Sequence, residues 1–212
     1  MPFLISEVVA AGQVLKHDGQ ELDRVYFPVE GLFSSRVVFA SGHEIEGALL
    51  CNTNALGLLG ALGYPSGWAR FVALTDGRVW SMPVAKLAAL RSDHHTVERV
   101  LTRFGFAQVG YTARVGICNA MHSSAQRIAR WLAVATAVLK VADLPVSQEE
   151  LANILGLQRS AVNPALQKLK ADGILQGGRG YIRVSNSEGL RSRACECAAD
   201  LVRIMRATPL IP

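Results

Sequence analysis

The chain has 212 residues, 50% of them hydrophobic and 18% charged, and its 22 Lys and Arg exceed its 17 Asp and Glu to give a formal charge of +5. This composition sustains a real core in one large or two small domains and excludes a disordered chain. No apolar run reaches the roughly 18 residues of a membrane span, and the start MPFLISEVVAAGQ lacks a signal peptide's basic and long apolar regions, so a cytoplasmic protein is expected.

Over residues 1–92, short apolar runs such as RVYFPV, LFSSRVVFA, RFVALTD and RVWSMPV alternate with the turn-forming HDG, PVEG, ASGHE and TDGR. Such runs, spaced about 8 to 12 residues apart, predict an antiparallel β sandwich or barrel. The texture changes in residues 93–122, where Val97, Leu101, Phe104, Gln108, Tyr111 and Val115 recur at intervals of 4, 3, 4, 3 and 4. Heptad spacing predicts a long helix whose seam pairs with a second copy of the chain. A helix packed on its own β domain is the competing reading, because Gly105, Gly110 and Gly116 each weaken a free-standing helix by up to ~1 kcal/mol.

Residues 123–190 carry the clearest local signals. HSSAQRIARWLAVATAVL predicts a buried helix capped by Ser123 or Ser124, with Ile128, Trp131, Leu132 and Ala135 on one face. In SQEE, Ser147 and Glu150 are spaced for a reciprocal capping box that starts a helix at Gln148. Leu151, Ile154 and Leu155 stripe that helix, Gly156 permits a left-handed turn, and Val162, Leu166 and Leu169 continue the stripe in a second one. After Gly173, GILQGGRGYIRV reads as two strands around a basic turn, completing a winged helix-turn-helix. Residues 191–212 are expected to be a C-terminal tail.

A second helix lying in a major groove needs hydrogen-bonding side chains at its exposed early positions, and Gln158, Arg159, Ser160 and Asn163 supply them. Ser147, Gln148 and Lys168 are expected at the phosphate backbone, with Arg179 added from the wing. Pro164 sits in the middle of this helix, where proline removes one hydrogen bond, while Asn-Pro is itself a good helix start. The conflict predicts a recognition element kinked or split at Asn163.

The charge distribution agrees with a polyanionic partner for the second half. Residues 1–92 hold 7 Lys and Arg against 8 Asp and Glu, residues 93–140 hold 6 against 2, and residues 141–212 hold 9 against 7. Cys51, Cys118, Cys195 and Cys197 lack the spacing of a disulfide framework or of paired CxxC motifs, so no structural zinc is expected. His43 with Glu44 and Glu46, and the pair His94 and His95, read as solvated loop residues, because sequence neighbours rarely converge on one ion. No nucleophile motif or paired carboxylates stand out, so neither an enzyme nor a cofactor is expected.

The order of a β-rich domain, a long pairing helix, QRIARWL, SQEELANILGLQRSAV and a Gly-rich wing resembles the Crp/Fnr family of bacterial transcription regulators over nearly the whole chain, and the ACEC ending at Cys197 looks like one of its subgroups. The resemblance implies an α+β chain: a jelly roll similar to cyclic-nucleotide-binding domains, a long dimerisation helix and a C-terminal winged helix-turn-helix. Expected partners are a palindromic operator in double-stranded DNA, a second copy of the chain, RNA polymerase and an unidentified small-molecule effector, with no membrane.

Arg159 matches the family's first recognition Arg, but Ser160 stands where the family carries Glu and Pro164 where it carries a second Arg. The familiar base preference therefore does not carry over. GLLGALGYPSGWARFVAL lacks the Gly-Glu and Arg-Ser pairs that hold ribose and cyclic phosphate in nucleotide-binding members, which leaves Trp68, Arg70 and Arg78 as effector candidates. The first cysteine is Cys51, so the N-terminal thiolate cluster of the iron–sulfur relatives has no counterpart. The alternative function is a small-molecule binding protein whose winged helix makes protein contacts.

Overall fold

The computed structural model describes residues 3–64, 67–178 and 180–207. Its first part holds β1 (Ile5–Val9), β2 (Val14–Lys16), β3 (Arg24–Glu30), β4 (Phe33–Val38), β5 (Glu44–Leu50), a short helix α1 (Leu58–Ala61), β6 (Arg70–Ala73) and β7 (Gly77–Pro83). Every pairing is antiparallel, in two sheets ordered β1-β7-β3 and β2-β6-β4-β5. Val25, Phe33, Leu49 and Val79 lose essentially all contact with water, as the alternation of apolar residues in these strands requires.

The second part is helical: α2 (Val84–Asp93), α3 (His95–Met121) and α4 (Ser124–Leu139). Then come β8 (Asp143–Leu144), α5 (Gln148–Leu155), α6 (Arg159–Ala171), β9 (Leu175–Gln176), β10 (Ile182–Val184), α7 (Ser187–Arg193) and α8 (Cys197–Arg206). Ser123 caps α4 in a reciprocal box with Gln126, and residues Ile128 to Ala135 of this helix are all buried. Helix α4 packs on α6, α7 and α8, and is the centre of the C-terminal half. The wing sheet has the order β8-β10-β9, one strand more than the sequence pattern gives. None of the described helices is long and apolar enough to cross a membrane.

Three expectations are corrected and a fourth is narrowed. The Leu101–Phe104–Tyr111 seam of α3 is buried inside the chain itself: Leu101 joins Val25, Met82 and Leu87, and Tyr111 enters the main core. A heptad pattern records only that one face is apolar, not whose surface covers it. Another face of α3 stays open, with Phe106 (74% exposed), Val109, Ile117 and Met121.

Helix α6 runs from Arg159 to Ala171 with Pro164 inside it, so of the two outcomes expected, a kink or a split at Asn163, the split does not occur. Proline deletes the single bond to the Ser160 carbonyl, and Ser160 is exposed, so water can serve that oxygen. Val162, Leu166 and Leu169 are buried on either side of Pro164 and hold both parts to one core.

Only half of the Ser147 box forms. Ser147 Oγ accepts from the Glu150 amide at 3.0 Å, but the Glu150 carboxylate turns away to Arg36. Finally, the described part of the expected tail, residues 191–207, is largely helical: α8 runs antiparallel along α3, with Asp200 paired to Arg114, Ile204 beside Gly110 and Ala207 beside Arg103.

Gly156 joins the two halves of the molecule at one point. It ends α5 in the left-handed conformation, φ 59°, and a Cβ there would lie 2.9 Å from Ile45 Cδ1 on β5. Gly156→Ala is therefore expected to lose about 1–2 kcal/mol from backbone strain alone, plus the displacement of Ile45. Gly173→Ala, at φ 69° with open space around it, should lose only the backbone part; denaturant titration of both variants measures the difference.

Candidate nucleic-acid interface

Helices α5 and α6 pack through Leu151, Ile154 and Leu155 against Val162, Leu166 and Leu169, all buried. That packing turns the opposite face of α6 outward, where Gln158, Arg159, Ser160, Asn163, Gln167 and Lys168 are exposed. Gln158 occupies the N-cap position without a side-chain cap, which leaves the first amides of α6 to solvent or an anion. Arg159 forms an exposed ion pair with Glu149 of α5, and Ser160 Oγ lies 3.4 Å from Gln158 Oε1. Of the expected backbone-contacting residues, Lys168 is exposed and Ser147 and Gln148 are half-buried, Ser147 spending its hydroxyl on the α5 cap. Arg179 lies outside the described residues. In the wing, Arg183 is bound by both oxygens of Asp143 at 2.6 and 2.7 Å.

This helix-turn-helix is fastened to the β domain by a polar network. Glu46 of β5, 8% exposed, accepts a hydrogen bond from Ser34 Oγ at 2.6 Å and another from Trp131 Nε1 of α4 at 2.8 Å. Arg36 of β4 donates to Ser34 Oγ and reaches Glu150 of α5 at 3.0 Å, while Glu44 pairs with both Arg36 and Arg70. Burial drives the Glu46 carboxyl above the usual carboxylate range, against the opposing pull of its hydrogen bonds and of the Arg36 and Arg130 charges. Glu44 and Glu46 are thus structural, not the solvated loop residues expected.

The effector candidates do not converge. Trp68 is 62% exposed, Arg70 is engaged by Glu44, and Arg78 is an exposed residue of β7 in the other sheet. A buried cation beside Trp68, which sequence reasoning missed, is Lys16; its Nζ donates to the carbonyls of His17, Gly67 and Ala69 at 2.8, 3.0 and 3.2 Å. Burial lowers its pKa, with Asp18 opposing. An open cleft of about 520 Å³ separates the β-domain turns at Glu30, Asn52 and Asp76 from Val138, Val141 and Asp143.

The cysteines are less scattered in space than in sequence. Cys118, Cys195 and Cys197 come together with His122 at the end of α3. The signal was present as two short spacings, Cys118 with His122 one helical turn apart and Cys195 with Cys197.

A β domain joined by a long helix to a winged helix-turn-helix defines a two-domain regulator of transcription. The family model for the Crp-like helix-turn-helix domain matches residues 126–193 and that for the cyclic nucleotide-binding domain matches residues 6–94. With both domains matched in order over most of its length, the chain belongs to the Crp/Fnr family. No curated protein sequence matches it.

Solved structures share its fold. FixK2 from Bradyrhizobium japonicum has a TM-score of 0.77 at 19% identity, covering 91% of this chain and 98% of that one. A CRP-family transcriptional regulator from Thermus thermophilus gives 0.76 at 19%, covering 89% and 96%. The c-di-GMP-responsive global regulator CLP of Xanthomonas campestris gives 0.72 at 18%, covering 87% and 95%.

The junction generates a pH prediction. Because the folded pKa of Glu46 is raised, its stabilising contribution is complete below the ordinary carboxylate range and is lost as pH rises through the folded value. Glu46→Gln keeps an acceptor of the same shape and should flatten this dependence; denaturant midpoints from about pH 4 to about pH 8 read it.

Proposed function

We propose that this regulator works in the cytoplasm as a homodimer that reads a palindromic DNA site through α6, with the β domain as its sensor of a small molecule. The observation that carries the reading is the polar outer face of α6, from Gln158 to Lys168, mounted rigidly on a buried stripe. Arg159 has the fork geometry for a guanine edge, Asn163 suits an adenine, and Ser160 can donate or accept. Lys168 and the free amides at the start of α6 suit phosphates, which fix register without reading sequence. Regulators of this family act by binding DNA, and RNA polymerase is the further partner if this one activates.

The proposed dimer uses the open face of α3, centred on Phe106, Val109 and Ile117, in place of the seam buried in the protomer. Two such helices side by side would set two copies of α6 about 34–36 Å apart, one turn of DNA.

Selection from random duplexes by the purified protein should enrich a palindrome. Arg159→Ala should then weaken binding to it by about 1–3 kcal/mol and relax one position, whereas Lys168→Ala should weaken all sequences alike and reduce the salt slope by about 1. Failure to enrich any sequence, with or without cell extract, would favour a winged helix that contacts protein.

The dimer face is checked by sedimentation. Phe106→Glu with Val109→Glu should yield folded monomers, while polar replacement of Leu101 or Phe104 should unfold the protomer, at a cost of about 3–5 kcal/mol for a large core side chain.

A further inference from the structure

Cys118 and His122 occupy the end of α3, four residues apart and so on one face. Cys195 lies in the link between α7 and α8, and Cys197 opens α8. The Sγ atoms of Cys118 and Cys195 are 3.5 Å apart, Cys197 Sγ is 3.9 Å from His122 Nδ1, and all four donor atoms lie within 4.8 Å of one another. A tetrahedral zinc ion, with bonds of about 2.3 Å to sulfur and about 2.0 Å to nitrogen, separates its donors by roughly 3.5 to 3.8 Å. These four donors therefore need shifts of only about an ångström to close on one ion.

Three independent features point the same way. The thiols are buried as a group of their own, apart from the main core. The other ring nitrogen of His122, Nε2, lies 3.3 Å from the Glu196 carboxylate; a carboxylate in that place fixes the tautomer that leaves Nδ1 free to bind a metal. Arg130 is buried with Nε and Nη1 lacking any hydrogen-bond partner among the described residues, and its charge acts on Cys118. Three thiolates, a neutral imidazole and a divalent cation leave one net negative charge, which such a guanidinium offsets.

We infer that Cys118, His122, Cys195 and Cys197 hold a zinc ion as a structural clip between the end of α3 and the C-terminal helix α8. Thiolates select a soft ion, and four protein ligands leave no position open for catalysis. Binding replaces three S–H bonds with zinc–sulfur bonds and releases three protons to solvent. The clip stands where α3 hands over to α4, so losing the ion frees the start of α8 from the end of α3, while the Arg114–Asp200 pair still holds the middle of α8.

The full-length chain, purified under reductant without chelator, is expected to carry one zinc by elemental mass spectrometry. After chelation, three more thiols should react with a titrant, and added cobalt(II) should give the thiolate-to-metal absorption of a tetrahedral site. Cys195→Ser and His122→Ala should weaken metal binding roughly tenfold or more, while Cys51→Ser, in the β domain, should leave it unchanged. If a variant fails to fold, the cobalt spectrum of the unaltered chain still decides. Four free thiols with no bound zinc and no cobalt absorption, or a Cys118–Cys195 disulfide in place of metal, would overturn the inference. None of these readouts depends on DNA binding.

Discussion

Glu46 sits on β5 out of reach of water, held by a hydroxyl from the neighbouring strand and by an indole N–H from α4. Neither half of the chain could bury this group alone. A carboxyl left without partners in a protein interior is destabilising, and removing one hydrogen-bond donor from such a buried acceptor typically costs about 1–3 kcal/mol. Arg36 extends the cluster to Glu150, so the strand pair β4–β5 touches both the core helix and the first helix of the helix-turn-helix. The orientation of the helix-turn-helix is therefore set by groups that are satisfied only when the two halves are together. Ile45, between Glu44 and Glu46, adds an apolar contact to Gly156 at the same point.

Helix α3 divides its surface among three neighbours. Leu101 and Phe104 are buried facing inward, Tyr111 joins the main core, and α8 lies along a further face from Arg103 to Cys118. What remains apolar and open is the row from Phe106 to Met121. A helix of 27 residues, about 40 Å long, has enough turns for all of this, which accounts for its mixed sequence with three interior glycines. Gly110 leaves room for Ile204, whereas Gly105 and Gly116 have open space beside them.

The parts legible in the sequence are those written in neighbouring residues. Strand texture, the caps at Ser123 and Ser147, the left-handed Gly156 and the apolar stripes of α5 and α6 all depend on positions within a few residues of one another. The rest is recorded in partners far apart in sequence. Glu150 completes no box because Arg36, 114 residues away, offers it a full charge. Pro164 does not split α6 because burial of Val162 and Leu166 outweighs one lost hydrogen bond. Cys118 meets Cys195 only because α8 folds back along α3; α8 itself is legible, since Cys197, Leu201, Ile204 and Met205 recur at helical spacing and form its apolar face, a local signal that the expectation of a tail passes over.

The Arg159–Glu149 pair makes recognition an exchange, not a simple addition. If α6 reads a base edge as proposed, the guanidinium must leave one acceptor to take another, and only the difference between the two counts toward affinity. Both side chains are more than half exposed, so the contact surrendered is worth about 1 kcal/mol at most, roughly a fivefold loss in binding. A matched guanine, worth about 1–3 kcal/mol, equals or exceeds that cost; a single weak contact does not. The carboxylate thus sets a fixed cost beside Arg159, the same factor for every sequence that the guanidinium engages; where the protein is abundant enough to saturate a tight operator, that factor lowers occupancy only at the weaker sites.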